Sequence, residues 1–162
     1  MAENDGILYG VKSLKFSNNQ LGYISEDGLA PGGEAPSKTR IFAAQKRDTP
    51  IKVLKSNPGT KLWSFTLIQL DAANLVKVMG GSNENGVYTP DSDDVELQGV
   101  FDLECVSGHT IRMHNALLTA NFANNINMSG VLGVACEIEM MKPEDGGASF
   151  TIYPPNAEVP AV

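Results

Sequence analysis

Cysteines, aromatic residues and long apolar runs are scarce in this sequence. Its two cysteines, Cys105 and Cys136, are too few for a disulfide framework, so we expect buried free thiols. No apolar run approaches the roughly 20 residues of a membrane-spanning helix, so no membrane association is expected. The opening residues, MAENDGILYG, are acidic where a signal peptide is basic, which predicts that the chain stays in the cytoplasm on synthesis.

Clustered basic residues are also lacking. The 12 Lys and Arg are outnumbered by 19 Asp and Glu, which gives a formal net charge of −7. Proteins that grip nucleic acid neutralise its phosphates with clustered cations, so specific binding of DNA or RNA is not expected. An acidic surface is still compatible with DNA that passes by without binding, because like charges repel.

Recognisable catalytic and metal-binding motifs are missing as well. His109 and His114 lie five residues apart in a predicted strand, which places them on opposite faces and prevents a shared metal. The acidic segment 91–96 lacks the spacing and the distal bidentate glutamate of a calcium loop. We therefore predict no enzymatic activity, no catalytic or metal-binding residues and no cofactor.

The sequence does contain a strand that runs directly into a short helix, in residues 61–81. Asp71 suits an N-cap and Gly80 suits the residue after the helix, which predicts a helix at about 71–79. Most other segments show the alternation of strands. The 162 residues therefore predict a single, mainly β domain: a β-sandwich or half-barrel of antiparallel strands with one short flanking α-helix.

Other segments have less regular patterns. Residues 26–37, EDGLAPGGEAPS, have no periodicity and predict a flexible loop that cannot be a central strand. Residues 38–44 and 51–55 predict two strands. The apolar phase slips within residues 109–123, which predicts a bulge near 115–118. Residues 154–162 predict a loose C-terminal tail.

Two predicted strands, residues 94–106 and 131–142, alternate apolar and acidic side chains regularly. Such alternation predicts one face in the core and one face that is open to water or lines a channel, and it does not suggest an acid/base pair. The carboxylates of this predicted acidic face are Asp94, Glu96, Asp102, Glu104, Glu137 and Glu139.

The order of the segments resembles that of bacteriophage major tail tube proteins. The resemblance spans roughly residues 6–153 and rests on LGYISEDGL (21–29), IFAAQKRDTPIK (41–52), FTLIQLDAANLVKVMGG (65–81) and EIEMMKPEDGGASFTIYP (137–154). It implies a β-sandwich that forms hexameric rings, which stack into a hollow tube for DNA in the virion tail. It also implies assembly in the bacterial host cytoplasm with other tail proteins, and no catalytic residues. The family shares its fold with the tubes of type VI secretion and contractile injection systems.

Residues 62–70 and 109–122 predict strands with apolar side chains on both faces. The resemblance gives these strands a role, because a neighbouring subunit then covers the second face. The acidic face becomes a candidate lumen that repels phosphates, and the sequence leaves open which of its two rows does so. The candidate interface residues are Glu26, Asp27, Leu29, Leu62, Ile68, Leu70, Leu118 and Phe122.

Three other hypotheses stay open. Long loops around a sandwich also suit a soluble binding or connector module of a phage particle, although one Trp and four Tyr are few for stacking on a sugar. A secretion-system tube protein is a further alternative. A small hydrolase ranks last, because the strand phases provide no convergent nucleophile and base.

Overall fold

The computed structural model describes residues 5–93 and 96–161. Within these residues the chain forms twelve strands and one helix, which confirms the prediction of a mainly β fold of antiparallel strands with one short helix. Among the described residues, no helix has the length and apolar character needed to cross a membrane. The elements are β1 (Ser13–Phe16), β2 (Asn19–Gln20), β3 (Ala30–Gly32), β4 (Ser37–Ile41), β5 (Lys52–Asn57), β6 (Leu62–Leu67), α1 (Ala72–Met79), β7 (Ser82–Glu84), β8 (Val87–Thr89), β9 (Leu97–Glu104), β10 (Thr110–Ala123), β11 (Gly133–Met140) and β12 (Phe150–Tyr153).

Eight strands form one sheet in the order β2–β1–β9–β10–β11–β6–β3, with β12 beside β10. Phe65 on β6 and Phe101 on β9 stack with their ring centroids 6.2 Å apart. In a flat sheet, the two intervening strands would hold β6 and β9 about 14 Å apart. The sheet therefore curls until its halves face each other, as in a half-barrel, and the apolar core fills the curl.

The long strand β10 changes its inward face part-way along. Ile111 and Met113 are buried in its first half, whereas Ala116 and Leu118 are buried in its second half. The pairing of β10 with β9 shifts register between Met113 and Ala116, which is the bulge that the slipped phase predicts. Along its other edge, β10 pairs first with β12 and then with β11.

Helix α1 closes one side of the core. Asp71 Oδ1 accepts a 3.3 Å hydrogen bond from Asn74 N, and Gly80 ends the helix with a φ of 73°, so both predicted caps are confirmed. The apolar face buries Leu75 and Val78 in the core. Tyr88 Oη donates a 2.9 Å hydrogen bond to Gly80 O, which attaches the β7–β8 hairpin to the end of the helix.

The two segments predicted to be irregular both lie against the sheet. Residues 26–37 contain β3, an edge strand that pairs with β6 and places Pro31 opposite Trp63. An edge position suits Pro31, because the proline has no N–H to offer a further strand. In the C-terminal tail, Pro160 O accepts a 2.7 Å hydrogen bond from Arg112 Nη1, which ties the predicted loose segment to β10.

Strands β4 and β5 stand apart from the main sheet and pair with each other as an antiparallel hairpin. We call residues 37–57 the arm. All of them are described, and every one is exposed except Ala43 and Pro50, which are half-buried. The sequence predicts both strands, but it does not predict that they leave the core.

Candidate interaction surfaces

The acidic row of β9 is largely neutralised by the chain itself. Asp102 is 7% exposed, and its two oxygens accept hydrogen bonds from Arg112, Oδ1 from Nε at 2.7 Å and Oδ2 from Nη2 at 3.1 Å. The prediction that Asp102 lies on an open acidic face is therefore wrong. Glu104 is half-buried and accepts a 2.9 Å hydrogen bond from Ser13 Oγ. Lys15 lies opposite Asp102 on β1, so a second cation faces this row.

Arg112 joins the sheet to the C-terminal tail. Its guanidinium pairs with Asp102, donates to Pro160 O and lies 5.9 Å from the ring centroid of Tyr153, within range of a cation–π contact. The hydrogen bond to Asp102 raises the pKa of Arg112, against the opposing effect of burial. The centre of the β9 row is therefore a contact between the sheet and the C-terminal tail, and it is buried from solvent.

Two predicted carboxylates of the acidic face, Asp94 and Glu96, precede β9 in the sequence. Asp94 lies outside the described residues. Glu96 is exposed and lines a shallow cavity of about 350 Å³ beside α1, together with Asp91 and Asp93. Within residues 5–93 and 96–161, no group of three or more His, Cys, Asp or Glu side chains is arranged to hold a metal ion.

The acidic row of β11 stays open. Glu137 is exposed and Glu139 is half-buried on the outer face of the sheet. Glu137 lies between Thr119 on β10 and Ser64 on β6, which are small and neutral. Neither β6 nor β11 contains a lysine or arginine. Of the two predicted rows, the β11 row is thus the one whose carboxylates have no cation opposite them in the sheet, whereas on the other row Glu96 is exposed and Asp102 is paired with Arg112.

The predicted interface residues separate into buried and accessible groups. Leu118 is 2% exposed, so its assignment to an interface is wrong: the bulge in β10 turns this residue into the core. Leu29 and Leu70 are half-buried and pack against the core. The accessible members are Glu26, Asp27, Ile68 and Phe122, which are exposed, and Leu62, which is half-buried.

A cavity of about 860 Å³ opens between residues 8–14 and residues 20–29, and we call this cavity the groove. Its lining is rich in apolar side chains, among them Leu21, Leu29 and the half-buried Trp63. Its charged lining residues are Glu26, Asp27 and Lys12. The groove therefore combines apolar surface with an excess of negative charge.

The arm has two chemically different faces. Its strands pair residue by residue from Lys38–Lys55 to Ile41–Lys52. Opposite residues share a face and successive residues alternate, so each face can be assigned from this register. The basic-apolar face consists of Lys38, Arg40, Val53 and Lys55. Phe42 and Ile51 lie just beyond the paired residues, towards the tip of the arm. The opposite face consists of Thr39, Ile41, Lys52 and Leu54.

Charge is separated between the arm and the rest of the chain. The arm holds six of the 12 Lys and Arg but a single carboxylate, Asp48. Its formal net charge is therefore +5, whereas the remaining residues sum to −12. The overall charge of −7 conceals this separation, which becomes visible once the structure shows where the arm begins and ends.

The histidines make contacts that hold segments together. Ser107 Oγ lies 3.1 Å from His109 Nδ1, and Tyr9 N donates to the same oxygen at 3.4 Å. Ser107 N donates in turn to Tyr9 O, so this pair fastens the N-terminal segment to the turn between β9 and β10. His114 Nε2 lies 2.7 Å from Thr151 Oγ1 and links β10 to β12. Ser107 was not foreseen, because a serine in a turn carries no signal of its partner.

Both cysteines are free and buried, as the sequence predicts. Desolvation raises the pKa of Cys105, and it raises the pKa of Cys136 to about 12. Because the thiolate is the reactive form of cysteine, Cys136 is expected to be inert at neutral pH.

No protein-family model matches the chain, and no curated protein matches it either. The fold and its surfaces define a class of protein. It is a mainly β protein whose curled sheet bears an acidic outer face and an apolar, acidic groove, and whose arm is basic and apolar.

Proposed function

We propose that this chain is a structural protein of a phage or prophage tail, which self-assembles into hexameric rings that stack into a hollow tube for DNA passage. It is made and assembled in the bacterial cytoplasm with other tail proteins, takes no cofactor and catalyses no reaction. The observation that carries the proposal is the arm. This hairpin leaves Phe42, Ile51 and Val53 about half exposed or more, although each is large and apolar.

The energetics of the arm favour a partner. A two-stranded hairpin alone is marginally stable in water, because it buries too little apolar area to offset the entropy lost on ordering. Burying one large apolar side chain fully contributes roughly 1.5–3 kcal/mol. Contact with another copy would therefore order the arm and join subunits. When the two contacting surfaces differ, copies join head to tail and form rings or open filaments.

The β11 row supports a channel for DNA. Glu137 and Glu139 lie on a face whose strands β6 and β11 contain no basic residue, whereas Asp102 at the centre of the β9 row is paired with Arg112. The β11 row is therefore the stronger lumen candidate. In a ring, carboxylates from every subunit would face the DNA, and their field would repel the phosphates so that the duplex slides without binding.

The test is light scattering of the purified chain across a concentration series, with negative-stain imaging of the same fractions. We expect rings of about six subunits or hollow tubes, as head-to-tail contacts between identical subunits produce. A chain that stays monomeric at every concentration, with the arm folded on its own body, would contradict the proposal. Particles released from the host and found to contain the chain would separate a virion tube from a secretion-system tube.

A second candidate is a binding or connector module of a phage particle, and the groove is the observation that favours it. A cavity of about 860 Å³ between chain segments, lined by Trp63, has the size of a ligand site. This candidate predicts a monomer that binds a peptide or another tail protein through the groove. Assembly into rings with the groove filled by the chain's own copies would exclude it.

A further inference from the structure

We propose that the arm of one copy docks in the groove of the next copy. The inference rests on the self-assembly proposed above and names the two surfaces that make the contact. Every residue that lines the groove lies outside residues 37–57, so the arm and the groove of one chain are separate surfaces. Both surfaces are accessible in the single chain.

The apolar parts of the two surfaces match. Just beyond its paired residues the arm carries Phe42 and Ile51, which are 50% and 61% exposed. The groove offers apolar side chains that include the half-buried Trp63 and the exposed Val11. Interfaces of this kind place an apolar or aromatic anchor in a pocket and surround it with polar contacts. The groove volume is that of a site which encloses several side chains at once.

The charges match as well. Lys38, Arg40 and Lys55 lie on the same face of the arm as the exposed Val53. In the groove, the exposed carboxylates Glu26 and Asp27 outnumber Lys12, which is the one lining cation among the described residues 5–93 and 96–161. The arm as a whole carries +5 and the rest of the chain −12, so approach of an arm to the body of another copy is favoured over a long range.

Docking of this kind has a defined symmetry. Each copy gives its arm to one neighbour and receives an arm from another, so the contact is heterologous and leaves no free surface only when the ring closes. Added salt screens the contact, because its charged residues are exposed before docking. The arm-in-groove contact therefore explains both the exposed hairpin and the open groove with one partner, a second copy of this chain.

The test uses charge reversal on each surface of the full chain. The arm variant is Lys38→Glu with Arg40→Glu, and the groove variant is Glu26→Lys with Asp27→Lys. Each variant alone should associate at least about tenfold more weakly than the wild type, because the reversed side chains then meet side chains of the same charge on the other surface. Mixed in equal amounts, the two should assemble again in alternation, since each reversed surface meets its complement on the other variant.

Matched controls isolate the two surfaces. Glu84→Lys with Glu144→Lys makes the same charge change at exposed positions outside the groove, and Leu54→Asp adds a charge to the opposite face of the arm. Both controls should assemble like the wild type. All variants change exposed residues, so far-UV circular dichroism and a cooperative thermal transition should show that they are folded.

The outcomes separate this inference from the function on which it rests. If the wild type assembles and both reversed variants assemble equally well, the arm-in-groove contact is overturned while the tube proposal stands. A mixture that stays monomeric, although each variant is folded, also overturns the contact. If the wild type itself is monomeric under every condition, the tube proposal fails together with this inference.

Discussion

The curled sheet buries its large apolar side chains, whereas the arm leaves them exposed to solvent. The sheet encloses Phe101, Met113 and Val134 so completely that none of them has any exposed surface. The arm leaves Ile51 61% exposed in a hairpin that contributes no residue to the core. Both regions are antiparallel strands with apolar residues. The comparison teaches that a strand pattern does not specify whether its apolar face is covered by the same chain or by another one.

The largest expected difference is between two phenylalanines. Phe101→Ala should lower the free energy of unfolding by about 3–5 kcal/mol, because it leaves a cavity in the curl where Phe101 stacks on Phe65. Phe42→Ala in the arm should change it by no more than about 0.5 kcal/mol, as for other exposed positions. Urea unfolding of both variants at low protein concentration measures this difference.

Low concentration matters here, because any association through the arm would add stability that belongs to the assembly. The wild type measured at the same concentration is the control. Similar losses for Phe101→Ala and Phe42→Ala would contradict the view that the arm is independent of the core.

The second difference is between the two acidic rows. Asp102→Asn should lower the free energy of unfolding by at least about 3 kcal/mol, because it leaves Arg112 buried without its carboxylate partner. Glu137→Gln, a matched change on the open β11 row, should have a small effect on stability. Thermal unfolding monitored by circular dichroism gives both values. An equal shift for the two variants would show that the β9 row is as open as the β11 row.

Much of the sheet could be predicted from the sequence, because local signals specify it. The caps Asp71 and Gly80 fix the helix, and the slipped phase after Met113 marks the bulge. The buried ion pair depends on the register of a single turn. The observed hairpin centres on Ser107 and so places Arg112 opposite Asp102, whereas a two-residue turn at Ser107-Gly108 would place Arg112 opposite Leu103. The turn residues therefore do not specify the pair, and alternation alone put Asp102 on an open face.

The candidate surfaces could be predicted less well, because they depend on contacts between distant segments. The groove lies between residues 8–14 and residues 20–29, and no periodicity within either segment specifies the space between them. Leu118 was assigned to the wrong surface for a related reason. The sequence shows that the alternation of apolar residues shifts within this strand, but it does not show which set of residues faces the core after the shift. The two strands of the arm alternate like other strands, so their sequence does not show that they lie outside the main sheet.

The pH dependence of stability should reveal a further property of the buried sheet. The pKa of Cys136 is about 12 in the folded protein and 9.0 for an ordinary thiol, so the folded state holds its proton more tightly. The contribution of Cys136 is therefore complete below pH 9 and is lost as the pH rises towards 12. The expected loss is about 1.4 kcal/mol per pH unit in this window.

Cys136→Ala provides the control, because it removes the thiol and leaves the other titrating groups in place. Urea unfolding of both proteins between about pH 8 and pH 10.5 should show a steeper decline for the wild type in the alkaline range, by the amount that the thiol contributes. Parallel curves would show that Cys136 is solvated, and that the core near β11 is more open than its burial indicates.

The smallest expected effect comes from shortening the arm. Ile41 lies opposite Lys52, so residues 42–51 can be replaced by a two-residue Asn-Gly turn that continues the hairpin register. None of the removed residues belongs to the core, so the free energy of unfolding of the monomer should change by less than about 1 kcal/mol. The same variant should lose self-association, because Phe42 and Ile51 are gone. A large loss of monomer stability would mean that the arm belongs to the body after all, and unchanged assembly would show that its tip joins no subunits.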